Sequence, residues 1–474
     1  MTTGINFWDG GVWSFILTMT LLFAAMIIAN ILRNAIKPLR GLMIPSSVLG
    51  GFLFLAVGFV YSRIFNKPMV PTETLEMLTY HGLGLGFVAM ALRNIEKKPD
   101  KRSRTGGFDS GITVVSGYLL QGVLGLAVTI LCHYLLGSFW SSGMLLPMGY
   151  GQGPGQAYNW GHNYEVLFGF EGGTSFGLTI AAMGFVSASV GGVIYLNRLR
   201  RKGIISSDGD GYVHDEYLSA QQISGKNEVP MSESMDKFTI QVAIVFIGYI
   251  MAYIVMGGIE AVIDTGVLGD FGYNTLRPLV WGFNFLIGTL CAILLKNFLR
   301  LLGKKGVIKR EYTNVFMQNR IAGFMFDLMV VASIAAIDLS AFSHRNFIIP
   351  ISIICVVGAV ATYFYLRIVC RNVFKAYENE AFLSLYGMLT GTASTGVILL
   401  READPLFETQ AGDNLVYHQP WAIVFGFPML LLLSVAPQST VKAFVTLGIL
   451  VILFAVMQMI VFRKGIFKKR KKHI

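Results

Sequence analysis

Eleven apolar runs, each about as long as the 20 residues a helix needs to cross roughly 30 Å of hydrocarbon, constrain this chain more than any other feature. They lie near residues 12–32, 43–62, 75–95, 111–137, 174–197, 238–263, 276–299, 319–341, 347–370, 418–435 and 440–462. In lipid the backbone polar groups must be satisfied internally, and the alternation of a membrane barrel is missing, so these runs predict an all-α polytopic membrane protein. The N-terminal stretch lacks a basic n-region and a small-residue cleavage site, so it reads as a retained first span.

The net charge of +11 would suit a nucleic-acid binder, but the basic residues sit in short clusters beside apolar runs. With the N-terminus outside, all but five of the 38 Lys and Arg (Arg63, Lys67, Arg277, Arg345 and Lys442) fall in or beside cytoplasmic connections. That asymmetry predicts an N-out, C-in topology in a multi-pass plasma or inner membrane protein, embedded in a lipid bilayer and with no nucleic-acid partner. Cys132, Cys291, Cys355 and Cys370 all fall in or at the end of spans without CxxC spacing, which predicts buried apolar thiols.

Residues 204–237 form the long polar stretch, read as a cytoplasmic linker. It divides the chain into a first half, 1–203, and a second half, 238–435, followed by an extra span and basic tail, 436–474. Each half has five spans, and because five is odd the second enters from the opposite face, which predicts two inverted five-helix repeats. Both halves carry a glycine-rich segment between their fourth and fifth spans: GMLLPMGYGQGPGQAYNWGHN at 143–163 and LSLYGMLTGTASTGVILLREADP at 383–405. Paired broken segments point to a transporter's binding site near the membrane midplane, reached by re-entrant loops.

Non-helical backbone at that depth must be buried in protein or line a cavity. Glycine lets backbone N–H and C=O groups approach a ligand, and a half-helix N-terminus offers partial positive charge to a carboxylate. The substrate-binding candidates are therefore Gly149, Gly151, Gln152, Gly153, Gly155 and Gln156 in the first segment, and Gly391, Thr392, Ser394, Thr395 and Gly396 in the second. The competing reading is close helix packing. Arg401 could clamp a substrate carboxylate, or could be a topology charge paired with Glu402. Asp327, a carboxylate inside the eighth span, is a candidate sodium or proton site, or an interhelical hydrogen-bond partner. Asn284 is a candidate for polar contact between helices or for facing the cavity.

His81, His133 and His162 have no metal-ligand spacing, and HExxH, GxSxG and Walker A patterns are absent. No catalytic residue and no enzyme activity are expected, and gradient-coupled transport is simpler than transport driven by ATP. An ion channel and a proton-coupled organic-anion transporter are the alternatives, followed by a membrane-embedded enzyme, which would need a convergent catalytic set.

Ile44-Pro45-Ser46-Ser47-Val48-Leu49-Gly50-Gly51, the GYGQGPGQA run from Gly149 to Ala157 and the TGTAST run from Thr390 to Thr395 together resemble the sodium/glutamate symporter family. The likeness in span order and loop placement runs from about residue 12 to 435. It implies sodium-coupled uptake of glutamate or a related amino or dicarboxylic acid, with no cofactor beyond the coupling sodium. The partners implied are a small anionic or zwitterionic substrate and a second copy of the chain, with an elevator-like motion of the transport domains. Tyr150 stands where better-known members carry a loop histidine, and Arg401-Glu402 and the span Thr440–Phe462 are additions, so the resemblance is to a divergent branch.

Overall fold

The computed structural model describes residues 6–93, 101–205, 236–308, 310–405 and 408–463. Most of the linker, together with Lys97, Lys98, Lys226, Lys309 and the tail lysines and arginine from Lys464 to Lys472, lies outside the described residues. No strand occurs among the described residues, and eleven helices are long and apolar enough to cross a membrane, as the hydropathy pattern predicts. The protein is a multi-pass helical membrane protein.

The main helices begin with α1 (Gly10–Ala35), α2 (Ser46–Phe65), α3 (Thr72–Leu92), α4 (Lys101–Leu136), α5 (Leu145–Gly151), α6 (Pro154–Phe168) and α7 (Gly173–Arg201). The chain continues with α8 (Lys237–Asp264), α9 (Arg277–Gly282), α10 (Asn284–Lys304), α11 (Val315–Ala335), α12 (Arg345–Val373), α13 (Glu378–Thr390) and α14 (Ala393–Arg401). It ends with α15 (Gln410–Tyr417), α16 (Gln419–Val435) and α17 (Thr440–Val461). The seventh span departs from the expected run. Phe283, at φ −108 and ψ 34, separates α9 from α10, so the continuous helix begins only at Asn284.

The helices gather into two compact units that are not contiguous in sequence. Among the described residues, one comprises those up to 76, from 101 to 205 and from 331 onward, and the other comprises those from 77 to 93 and from 236 to 330. These units are defined by contact and cut across the two sequence halves, so both glycine-rich segments belong to the first unit. The second unit is built on a core of Leu85, Val88, Ala89 and Leu92 from α3, Ile244 and Val245 from α8, Ala292 from α10, and Ile321 and Ala322 from α11.

In the first unit α4 is the axis, packed by α12, α15, α16 and α17. Small residues set the spacing, because lipid gives no hydrophobic drive for helix association and close backbone approach substitutes for it. Gly125 on α4 and Gly143 lie backbone to backbone: a Cβ built on Gly143 would fall 1.9 Å from the Gly125 oxygen. The four cysteines are all buried, in keeping with the expectation of apolar thiols.

The last span is tied to α4 by an ion pair between Arg463 and Asp109, whose side chain is only 6% exposed. The guanidinium also lies over the Phe108 ring, 4.8 Å from its centroid. Losing the guanidinium removes a charge-assisted hydrogen bond to a buried carboxylate, so Arg463→Ala should lower stability by about 1.5–3 kcal/mol, read as a fall in the thermal unfolding midpoint in detergent.

Candidate functional site

Both glycine-rich segments are broken helices, and the local sequence says why. In the first, α5 stops at Gly151, and Gly153 adopts φ 84 and ψ −177, a conformation open essentially to glycine alone. Pro154 then opens α6; it lacks an N–H and its ring presets φ, so it can start a helix but cannot continue one. In the second, α13 ends at Thr390, Gly391 turns with φ −132 and ψ −105, and Thr392 is extended before α14 begins at Ala393.

Neither new helix is capped by a side chain at its start. The first-turn N–H groups of α6 and α14 point out of the helix ends toward the break, and each start carries the positive end of a helix dipole. The two starts meet. A Cβ on Gly153 would lie 3.2 Å from Thr392 Cγ2 and 3.9 Å from the Gly391 carbonyl oxygen. Gln152 and Thr392 are half-buried and Ser394 is exposed, while Gly153, Gly155, Gln156, Gly391 and Thr395 are buried, so the junction is accessible from one side. The hydroxyls of Thr392 and Thr395 stand 3.4 Å apart there. Two helix starts converging on one accessible point suit an anionic group, and the adjacent hydroxyl and carbonyl oxygens suit a hard monovalent cation.

Spans α4, α7 and α12 brace the junction. Tyr118 on α4 donates its hydroxyl to the Gly151 carbonyl at 3.1 Å. One turn further along, Gln121 Nε2 donates to the Leu389 carbonyl at 2.9 Å and to Thr362 Oγ1 at 3.0 Å. One face of α4 thus holds the end of both broken helices. Tyr150 Oη donates to the Cys355 carbonyl on α12 at 2.8 Å and lies 3.0 Å from Ser187 Oγ on α7. Tyr386 Oη on α13 donates to the Ser187 carbonyl at 3.2 Å. Gln121 is fully buried, and its Oε1 meets no protein donor among the described residues.

These anchors were not among the sequence candidates, because a tyrosine in a span is ordinary. Gln121, an amide in the middle of an apolar run, was the signal available. Losing its two hydrogen bonds would leave buried polar atoms unsatisfied, so Gln121→Leu should cost about 1–3 kcal/mol. Tyr118→Phe, which loses one bond, should cost about 1 kcal/mol. Thermal unfolding of the purified variants checks the order.

The candidates divide into groups. Gln152, Gly153, Gly155, Gln156, Gly391, Thr392, Ser394 and Thr395 lie at or within a turn of the junction. Gly149 and Gly151 are packing glycines, set against Ile180 and the Tyr118 ring, and Gly396 packs on the Ser384 carbonyl. Arg401 is the last residue of the nine-residue α14, about 13 Å along the axis from Thr392, so it is not brought to the junction. Glu402, expected beside Arg401, pairs with Arg200 at 2.9 Å. Asp327 is exposed on α11 and belongs to the other compact unit. Compared with known families and with curated proteins, the chain matches no family model and no curated protein.

Proposed function

We propose that this protein is a secondary transporter whose paired half-helix starts at Gly153–Gln156 and Thr392–Thr395 hold the carboxylate of a small anionic or zwitterionic substrate. The observation that carries this reading is the meeting of two uncapped helix starts beside Gly153 and Thr392. The likeness of the quoted motifs to sodium/glutamate symporters favours glutamate or a related amino or dicarboxylic acid, with sodium as coupling ion. Sodium would sit on the hydroxyls of Thr392 and Thr395 and nearby carbonyls, since hard cations take such oxygens. Inverted five-span halves, N-out and C-in orientation, a homodimer in the plasma or inner membrane and elevator-like alternating access belong to the same proposal.

Protein in liposomes given an inward sodium gradient is expected to concentrate labelled glutamate or aspartate. Accumulation under a proton gradient alone would replace sodium by protons. Failure of every acidic and amino-acid substrate under both gradients would overturn the reading, and ion current far above transporter turnover would favour a channel.

A further inference from the structure

The second compact unit holds a polar cluster that the carboxylate junction does not use. His81 lies in the middle of α3, and its Nδ1 is 2.9 Å from the Tyr249 hydroxyl on α8. Asn284, the fully buried first residue of α10 at the break after Phe283, donates through Nδ2 to the same hydroxyl at 3.2 Å and to the Tyr80 carbonyl at 3.3 Å. Tyr80 in turn donates to the Trp281 carbonyl at 2.9 Å. Asn284 Oδ1 is buried with no protein donor among the described residues. Gly84 lets the Tyr249 ring lie against α3, since a Cβ there would fall 2.4 Å from a ring carbon.

An amide nitrogen only donates, so the Tyr249 oxygen accepts from Asn284. Directing the Tyr249 hydrogen to His81 Nδ1 uses that donor as well. In that arrangement His81 is the neutral imidazole with its proton on Nε2. It also leaves Asn284 Oδ1, a strong acceptor, unused in a dry interior.

We propose that His81 is a reversible proton-binding site, with Tyr249 and Asn284 as the hydrogen-bond pair that adapts to the bound proton. A proton from solvent adds to the Nδ1 lone pair, no other bond is broken, and the site gains one positive charge. Nδ1–H then donates to the Tyr249 oxygen. The displaced hydroxyl hydrogen turns to Asn284, whose carboxamide rotates about χ2 to present Oδ1, giving up the 3.3 Å bond to the Tyr80 carbonyl. Each protonation state thus keeps a hydrogen bond between Tyr249 and His81 and another between Tyr249 and Asn284, and the proton needs no carboxylate partner.

The groups facing His81 from the packed elements fit this charge balance. Tyr80 and Tyr249 are its ring neighbours, with centroids at 5.0 and 5.8 Å. From α11 the helix face toward neighbouring Gly82 is Met325 and Met329. Asp327 lies between those two residues in sequence and so points to another side of α11. Glu260 on α8 is engaged by Arg277 and by Trp281 Nε1, the latter at 2.8 Å. The site is independent of the proposed substrate junction and stands or falls on its own measurement.

That measurement is solid-state NMR of histidine-labelled full-length protein in lipid nanodiscs, in which seven histidines contribute. One imidazole is expected to pass from the Nε2–H tautomer to the doubly protonated form between about pH 8 and pH 5. Its signal should vanish in His81→Gln, and its midpoint should move by about half a pH unit or more in Tyr249→Phe and Asn284→Leu. If His81→Gln does not fold, the signal is assigned as the one altered by Tyr249→Phe. A His81 signal that stays neutral over that range, or titrates with the same midpoint in Tyr249→Phe, would show a fixed structural hydrogen bond and overturn the proposal.

Discussion

Gly153→Ala is expected to reduce substrate accumulation by about 100-fold or more while leaving a folded, membrane-inserted protein. Two effects combine. The position has φ 84 and ψ −177, where any side chain is strained by about 1–3 kcal/mol. The added methyl also meets Thr392 Cγ2 at 3.2 Å, so it pushes on the second broken helix from the first. Relief at one end moves the start of α6, relief at the other moves the start of α14, and either displaces amides that must converge on one group. The cost therefore falls on the binding geometry more than on the stability of the spans. Thr392→Ser removes Cγ2 but leaves the backbone strain untouched. Added to Gly153→Ala, it should restore part of the uptake and none of the strain, a non-additivity that a double-mutant cycle measures. Wild-type uptake by Gly153→Ala would mean that the substrate does not bind where the two breaks meet.

The largest effect on folding should come from Gly143→Ala. Its Cβ would fall 1.9 Å from the Gly125 oxygen and 2.6 Å from the Leu126 nitrogen, and these are backbone atoms of α4 that no rotamer change can move. The Gly143 N–H also donates to Thr129 Oγ1 at 3.1 Å, so the segment cannot lift away without losing that bond. Overpacking of this kind costs about 3 kcal/mol or more, a large share of the stability of a typical domain. A sharp drop in folded yield and in the unfolding midpoint is the expected readout. Gly257→Ala is the control: nothing lies within 4 Å of its Cβ, and an alanine in an open helix should be neutral or slightly stabilising.

How the site is built separates local from long-range information. Each helix break was legible in the chain, because Gly153-Pro154 and Gly391-Thr392 interrupt a helix through their own backbone chemistry. Their meeting was legible only as an expectation from symmetry. The bracing residues were not legible at all, since Tyr118 and Gln121 acquire their roles from carbonyls 33 and 268 residues away. Arg401 illustrates the reverse. It follows the TGTAST run closely in sequence, but α14 continues as a helix after the break and carries it a helix length away.

What the sequence by itself determined is the number of spans, the absence of a barrel pattern and the two points where helices must stop, because bilayer thickness and backbone chemistry act within about 20 residues. Only the tertiary structure decided that both breaks share one compact unit and touch at Gly153 and Thr392, and that the seventh span is interrupted beside Asn284. It also decided that Glu402 pairs with Arg200, 202 residues away. The physical reason is that helices in lipid are matched by small-residue surfaces and buried hydrogen bonds, and those are properties of pairs of helices, not of any one run.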